Sequence, residues 1–156
     1  MMDYLSLPCV VACGGSFMVK EALIKAENYD EITRLTYQAV AKMHGFFLKH
    51  VGINCADEND CRSTADKLCR FAMVSPDERS GAIFAGTLFE VMKNPGLGTN
   101  GHIAIGCNFP FRALAFLESQ GFAPDMSTAK YDEKGKLKVV YFKDEIGGFA
   151  FHIVGK

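Results

Sequence analysis

Features typical of membrane and secreted proteins are missing from this sequence. Its longest apolar runs fall far short of the ~20 residues that a membrane-spanning helix needs. The start, MMDYLSLPCVVACGG, contains an apolar patch but no basic n-region, and it carries Asp3, so it does not resemble a signal peptide. These two absences lead us to expect a cytoplasmic protein with no membrane partner.

Charge and cysteine patterns exclude two further classes. The sequence has 17 basic and 18 acidic residues and a net charge of −1. Because it contains no basic stripe, nucleic acid is not an expected partner. None of the six cysteines forms a C-x-x-C pair, which argues against a zinc–thiolate site and favours reduced thiols.

An internal repeat is the strongest positive feature of the sequence. HVGINCA begins at His50, and HIAIGCN begins at His102. Each copy is followed by a predicted helix, at 57–71 and 109–120, and then by further strands. The helical periodicity of residues 20–43, with a second helix beginning near Asp30, ends at His44-Gly45. Two βαβββ units, an α+β fold, are therefore predicted over residues 44–156.

The individual strands follow from alternation of apolar residues and from turn residues between them. The predicted strands are 7–12 before the repeat, 47–54, 80–85 and 87–93 in its first unit, and 102–107, 129–132, 137–142 and 148–154 in its second.

Four side chains are candidate metal ligands. Alternation places His50 beside Gly52, and His102 beside Ala104, on a face of small residues that leaves room for a ligand. Glu90 and His152 lie between apolar neighbours in the last strand of each unit, where an unpaired carboxylate would be costly to bury.

A lone strand histidine is usually only a hydrogen-bonded residue. Here three of the four histidines fall at equivalent positions of a repeat, and only His44, which we interpret as structural or solvated, does not. Three imidazoles and a carboxylate suit one divalent ion such as Zn, Ni, Co or Fe.

The paired βαβββ units resemble the vicinal oxygen chelate superfamily, which includes glyoxalase I and extradiol dioxygenases. Members bind one divalent metal through the first and last strands of each unit, often with a His and a Glu from each half. This sequence matches that pattern at His50, Glu90 and His102, and departs from it at His152. The resemblance covers about residues 45–156 and implies a glyoxalase-like, metal-binding domain.

Residues 1–43 are similar to a different fold. YLSLPCVVACGGSFMV resembles the last strand of the (β/α)8 barrel in bacterial 2-dehydro-3-deoxyphosphogluconate / 4-hydroxy-2-oxoglutarate aldolases. In that family a Gly-Gly-Ser loop helps to hold the substrate phosphate, which implies a phosphate-binding role for Gly14, Gly15 and Ser16. Some members carry a C-terminal extension similar to GTNGHIAIG, TAKYDEKGKLK and EIGGFAFHIV here.

The resemblance therefore implies a barrel remnant, residues 1–43, followed by the extension, residues 44–156. The family's Schiff-base lysine and acid/base glutamate lie on earlier strands and have no counterpart here. Lys20 and Lys25 fall in a helical pattern and are expected to be solvated. We expect no aldolase activity from this chain alone.

Three functions remain open at this point. The first is a metal-dependent domain that acts on or binds a small 2-oxo acid, with lyase or isomerase chemistry. The second is a non-catalytic ligand-binding or dimerising module that regulates the aldolase. The third is a resistance-type protein that sequesters a small molecule. A homo-oligomer is expected in each case.

Overall fold

The computed structural model describes residues 2–7 and 9–156 and divides at Phe46/Phe47 into two units. In the described part of the first unit the ordered elements are helices: α1 (Met2–Leu5), α2 (Glu21–Lys25) and α3 (Tyr29–His44). Asn28 caps α3 by accepting a hydrogen bond from the Glu31 backbone N–H, and Gly45 ends it in the left-handed conformation. Within the described ranges, no helix is long and apolar enough to cross a membrane.

The strand predicted at 7–12 is wrong for the residues that the structure describes. Leu7 and residues 9–12 belong to no strand, and Pro8 lies outside the described residues. A strand is stable only when its backbone N–H and C=O groups pair with a neighbouring strand. The described part of the first unit contains no second strand that could provide those partners.

The second unit, Phe47–Lys156, contains eight strands and two helices. Its first module comprises β1 (Phe47–Asn54), α4 (Glu58–Ala72), β2 (Pro76–Glu78), β3 (Ala82–Ala85) and β4 (Phe89–Met92). Its second module comprises β5 (Gly101–Cys107), α5 (Pro110–Ser119), β6 (Pro124–Tyr131), β7 (Leu137–Ile146) and β8 (Phe149–Gly155).

All eight strands form one sheet in the order β2-β3-β4-β1-β5-β8-β7-β6. In each module the first strand pairs in parallel with the last, and the two modules meet where β1 pairs antiparallel with β5. Outward from that junction, each module therefore places its first strand innermost, followed by its fourth, third and second strands. This topology confirms the predicted α+β fold of paired βαβββ modules.

Each helix covers one half of the sheet through a small apolar core. The first core contains Cys61 and Ala65 of α4 against Ile83 and Val91 of the sheet. The second core is built from α5 and strands β5, β7 and β8, and its buried members are Cys107, Ala113, Leu114, Leu137, Val140 and Ile153. Because alternate strand residues face opposite ways, the other face of the sheet remains available for a site.

The observed strands depart from the predicted ranges mainly at the sheet edges. The second strand of the first module, β2, was not located from the sequence because it is a short, exposed segment that begins with a proline, as edge strands often do. The other edge strand, β6, begins at Pro124 rather than at Ala129, and β7 continues to Ile146.

The segment between the modules is held by side-chain hydrogen bonds. Asn54, at the end of β1, donates to the Gly98 carbonyl at 2.8 Å and accepts from the Gly96 N–H at 2.9 Å. Thr99 is bound through both its N–H and its hydroxyl to the Glu145 carboxylate. These contacts hold the segment to β1 and β7 just before β5 begins.

Candidate metal centre

Two rows of directly paired residues cross the uncovered face of the sheet. The first row runs through β2, β3, β4, β1 and β5 as Asp77, Phe84, Glu90, Gly52 and His102. The second runs through β6, β7, β8, β5 and β1 as Asp125, Tyr141, His152, Ala104 and His50. The rows match position by position under the symmetry of the modules, so each brings one residue from a first strand and one from a last strand to the centre.

Three donor atoms at this centre form a nearly equilateral triangle. His50 Nε2 lies 3.2 Å from His102 Nε2. Glu90 Oε2 lies 3.1 Å from the first nitrogen and 3.2 Å from the second. One carboxylate oxygen can accept from both imidazoles, but the contact between the two nitrogens then gains nothing from hydrogen bonding.

The fourth predicted ligand, His152, lies against the same cluster. Its ring centroid is 5.6 Å from that of His50 and 5.4 Å from that of His102. Candidate ligand nitrogens of the three histidines all lie within 4.8 Å of one another. The structure therefore brings together all four residues that the sequence singled out.

His152 is the most deeply enclosed donor in the cluster. Its side chain is buried, and neither ring nitrogen has a hydrogen-bond partner among the described residues. Burial, reinforced by the neighbouring His102 and His50, lowers the pKa of His152 to about 4. A neutral imidazole with two unpartnered nitrogens is costly to bury and is ready to act as a metal ligand.

Glu90 remains ionised in this setting. Hydrogen bonds from His102 and His50 hold the pKa of Glu90 at about 2, against the opposing effect of burial. The carboxylate therefore supplies one full negative charge beside the three imidazoles.

Gly52 provides the space for His102. A Cβ atom at position 52 would lie 2.1 Å from Cε1 of His102 and 2.3 Å from its Nδ1. The imidazole thus lies directly on the β1 backbone, where no side chain larger than hydrogen fits. The equivalent residue in the second row is Ala104, which carries a methyl group.

Two aromatic residues that sequence analysis did not select flank the donors. The Phe84 ring meets that of His50 edge-on at 6.1 Å, and the Tyr141 ring lies 4.4 Å from that of His152. Burial raises the pKa of Tyr141 to about 12, so the phenol stays neutral. Phe84 is the cross-strand neighbour of Glu90, and Tyr141 is that of His152. Only the strand register identifies such neighbours.

The donor set fits a divalent ion. Two ligands bound to one ion at about 2.0–2.2 Å lie about 3–3.5 Å apart when the angle between them is near 90–109°. The three short separations, 3.1 Å, 3.2 Å and 3.2 Å, fall in that range. Imidazole nitrogen with carboxylate oxygen is a combination that zinc-like ions accept.

The predicted phosphate site lies in the first unit. Gly14 and Gly15 adopt no regular structure, and the helix that follows Ser16 has only five residues. They border a surface pocket of about 360 Å³ lined by Tyr4, Cys13, Gly14, Gly15, Phe17 and Met18, none of which is basic. Phosphate binding at Gly14, Gly15 and Ser16 therefore stays a prediction.

A short stretch of the sequence is similar to a known protein. No protein-family model matches the chain. A 38-residue stretch in its N-terminal part is 50% identical to the 2-dehydro-3-deoxy-phosphogluconate aldolase of Haemophilus influenzae. The match covers 24% of this chain and 18% of the aldolase. It agrees with the resemblance noted for the start of the sequence and spans less than a fifth of the relative's length.

Two solved structures are similar over most of the chain. A hypothetical protein from Bacillus halodurans C-125 is 12% identical, with a TM-score of 0.49, over 71% of this chain and 94% of its own. Methylmalonyl-CoA epimerase from Mycobacterium tuberculosis is 16% identical, with a TM-score of 0.43, over 69% of this chain and 86% of its own. The fold class stated above rests on the strand order of this chain itself.

Proposed function

We propose that the second unit, Phe47–Lys156, binds one divalent transition-metal ion through His50, Glu90, His102 and His152. The observation that carries the proposal is the approach of donors from both modules, three of them 3.1–3.2 Å apart. The buried, unpartnered nitrogens of His152 support it independently. Zn, Ni, Co and Fe are the ions that this set of ligands favours.

We further propose that the site binds or acts on a small 2-oxo acid. A 2-oxo acid presents neighbouring carboxylate and carbonyl oxygens, and a bound divalent ion supplies Lewis acidity toward such oxygens. The protein's own part is to hold the four donors in place and to exclude water with Phe84 and Tyr141. His152 would offer the ion a neutral imidazole and Glu90 one ionised carboxylate, and an ion so held would be suited to lyase or isomerase chemistry.

The aldolase match supports a place for this domain beside 2-oxo-acid chemistry. We propose that the chain corresponds to the C-terminal part of an aldolase-type protein that carries a glyoxalase-like domain. The chain alone is not expected to be an active aldolase, because no residue here matches the family's Schiff-base lysine.

A non-catalytic binding module is the second candidate. The observation that favours it is that Glu90 already accepts from His50 and His102, so these three side chains have partners without an ion. Such a module would bind a ligand on the same uncovered face of the sheet, here called the cup, where the two rows of paired residues lie. It would regulate or assemble the aldolase. Metal content distinguishes the two candidates.

The test is metal analysis of protein purified without chelator, followed by titration of metal-free protein with Co(II). We expect one equivalent of metal, and a Co(II) absorption spectrum that is lost in His50→Ala and His102→Ala. Glu90→Gln should weaken binding, whereas Glu118→Gln on helix α5 should leave it unchanged. Wild-type protein that retains no metal and takes up no Co(II) would contradict the proposal and favour the second candidate.

A further inference from the structure

An arginine borders the cup at the end formed by β2 and β3. Arg79 follows β2, and its guanidinium carbon lies 4.1 Å from the centroid of the Phe84 ring. The same ring meets His50 edge-on at 6.1 Å. Because Phe84 is paired with Glu90 in the first row, Arg79 lies on the same face of the sheet as the donors. These two ring contacts in series connect the guanidinium to the metal centre.

The guanidinium makes a two-point ion pair and keeps one donor group to spare. Arg79 Nε and Nη2 donate to Asp77 Oδ2 at 3.0 Å and 2.8 Å, and Asp77 is itself paired with Phe84 across the strands. No hydrogen bond is made by Nη1 to any described residue. One free edge with two N–H groups suits a carboxylate, whereas a phosphate dianion would need more donors than this edge offers.

The second module has a lysine rather than a ring-stacked arginine near the equivalent place, since hydrogen bonds from Ser127 and the charge of Lys143 both help to lower the pKa of Asp125. Asp125 corresponds to Asp77 in the matched rows, and two residues further on stands Ser127 rather than an arginine. Ser127 repeats the local contact, since its N–H and hydroxyl both donate to Asp125 Oδ1. The two ends of an otherwise symmetric cup therefore differ in kind, since only the Phe84 end holds a guanidinium stacked on the aromatic ring of its row, and this gives the cup a direction.

We propose that Arg79 binds a second carboxylate of the ligand, so that the site prefers dicarboxylic over monocarboxylic 2-oxo acids. The inference rests on the proposed function, because the first carboxylate and the carbonyl of the ligand occupy the metal centre. The Phe84 ring lies between the two anchoring points and packs against the carbon chain that joins them. Asp77 offsets part of the charge, so the gain comes from an oriented, charge-assisted hydrogen bond.

The test compares two acids of equal chain length on Co(II)-loaded protein. The dicarboxylic 2-oxoglutarate and 2-oxopentanoate, which has a methyl group in place of the distal carboxylate, are titrated and followed by the Co(II) absorption spectrum. We expect 2-oxoglutarate to bind about tenfold more tightly or better, as for one charge-assisted hydrogen bond. In Arg79→Gln that advantage should disappear while the affinity for 2-oxopentanoate stays the same.

Arg79→Lys, which keeps the charge but not the planar fork, should retain part of the advantage. Arg70→Gln is the matched control, because it removes the same charge from an exposed arginine that pairs with Asp66 on α4. Equal affinity of the wild-type protein for the two acids, or an undiminished advantage in Arg79→Gln, would overturn the inference while the metal site stands. A wild-type protein that takes up no Co(II) would remove the proposed function and this inference together.

Discussion

Adding one methyl group to the backbone beneath His102 is the sharpest perturbation that this site offers. In Gly52→Ala the new Cβ would lie 2.1–2.5 Å from three atoms of the imidazole ring. An ordinary contact of this kind is about 3.4–4 Å, so the ring has to move by about 1 Å or more. His102 cannot make that movement and also keep Nε2 3.2 Å from both His50 and Glu90.

The expected result is a large loss of metal affinity with a modest loss of stability. Replacing residues that merely orient a ligand costs about 10–100-fold in metal affinity, and displacing a ligand should cost at least as much. Overpacking of this kind lowers the free energy of unfolding by about 1–3 kcal/mol. Affinity is measured by competition between the protein and a chromophoric chelator for Zn(II) or Co(II), and folding by thermal melts of the metal-free protein.

Gly81→Ala provides the control. It makes the same chemical change in the same module, at a position where a Cβ would meet no atom within 4 Å. Wild-type metal affinity in Gly52→Ala, with a normal melt, would mean that His102 is not held over Gly52 as a ligand. That outcome would refute the reasoning from close approach.

Three further predictions concern proton binding, thiols and amines. Because the pKa of His152 is lowered to about 4 in the folded protein, the unfolded chain binds more protons between pH 6.5 and 4. The metal-free protein should therefore lose up to about 3 kcal/mol of stability as the pH falls through that window, and His152→Gln should flatten the loss seen in urea melts. With a disulfide-exchange reagent, exposed Cys9 and Cys13 should react at once, and the buried Cys55, Cys61, Cys69 and Cys107 only on unfolding. Borohydride reduction with pyruvate should leave no adduct detectable by mass spectrometry on Lys20, Lys25 or Lys49.

Three results would contradict these predictions. A stability that rises as the pH falls from 6.5 to 4 would contradict the assignment of His152 as a buried neutral imidazole. Rapid reaction of more than two thiols in the native protein would contradict the two apolar cores beneath the helices. A stoichiometric pyruvate adduct would overturn the prediction that the chain alone lacks aldolase chemistry.

The repeat allowed the sequence to predict most of the second unit. HVGINCA and HIAIGCN mark the two first strands, and alternation in each indicated that the histidine and the small residues share a face. Both helices formed within a residue or two of the predicted ranges, with Asp57 as the N-cap of α4. These features are local, because they depend on periodicity and capping within one segment.

The first 43 residues were harder to predict because the strand pattern in them does not show whether partner strands are present. An apolar run such as that at 7–12 has strand periodicity but needs neighbouring strands for its hydrogen bonds. The edge strand β2 was missed for the opposite reason, since its pairing with β3 overcomes a polar, proline-led sequence. In both places the local sequence pattern gave a wrong prediction, because strand formation depends on partners elsewhere in the chain.

What the sequence alone determined is therefore the pair of modules and the identity of four candidate donors. Only the tertiary structure decided that Glu90 Oε2 contacts both His50 and His102, that Gly52 leaves room for an imidazole, and that Phe84, Tyr141 and Arg79 adjoin the same cup. The reason is register: a shift of one residue in any pairing would turn a strand's side chains to the other face. That register is set jointly by β1 pairing with β4 and with β5, which no single segment of the sequence specifies.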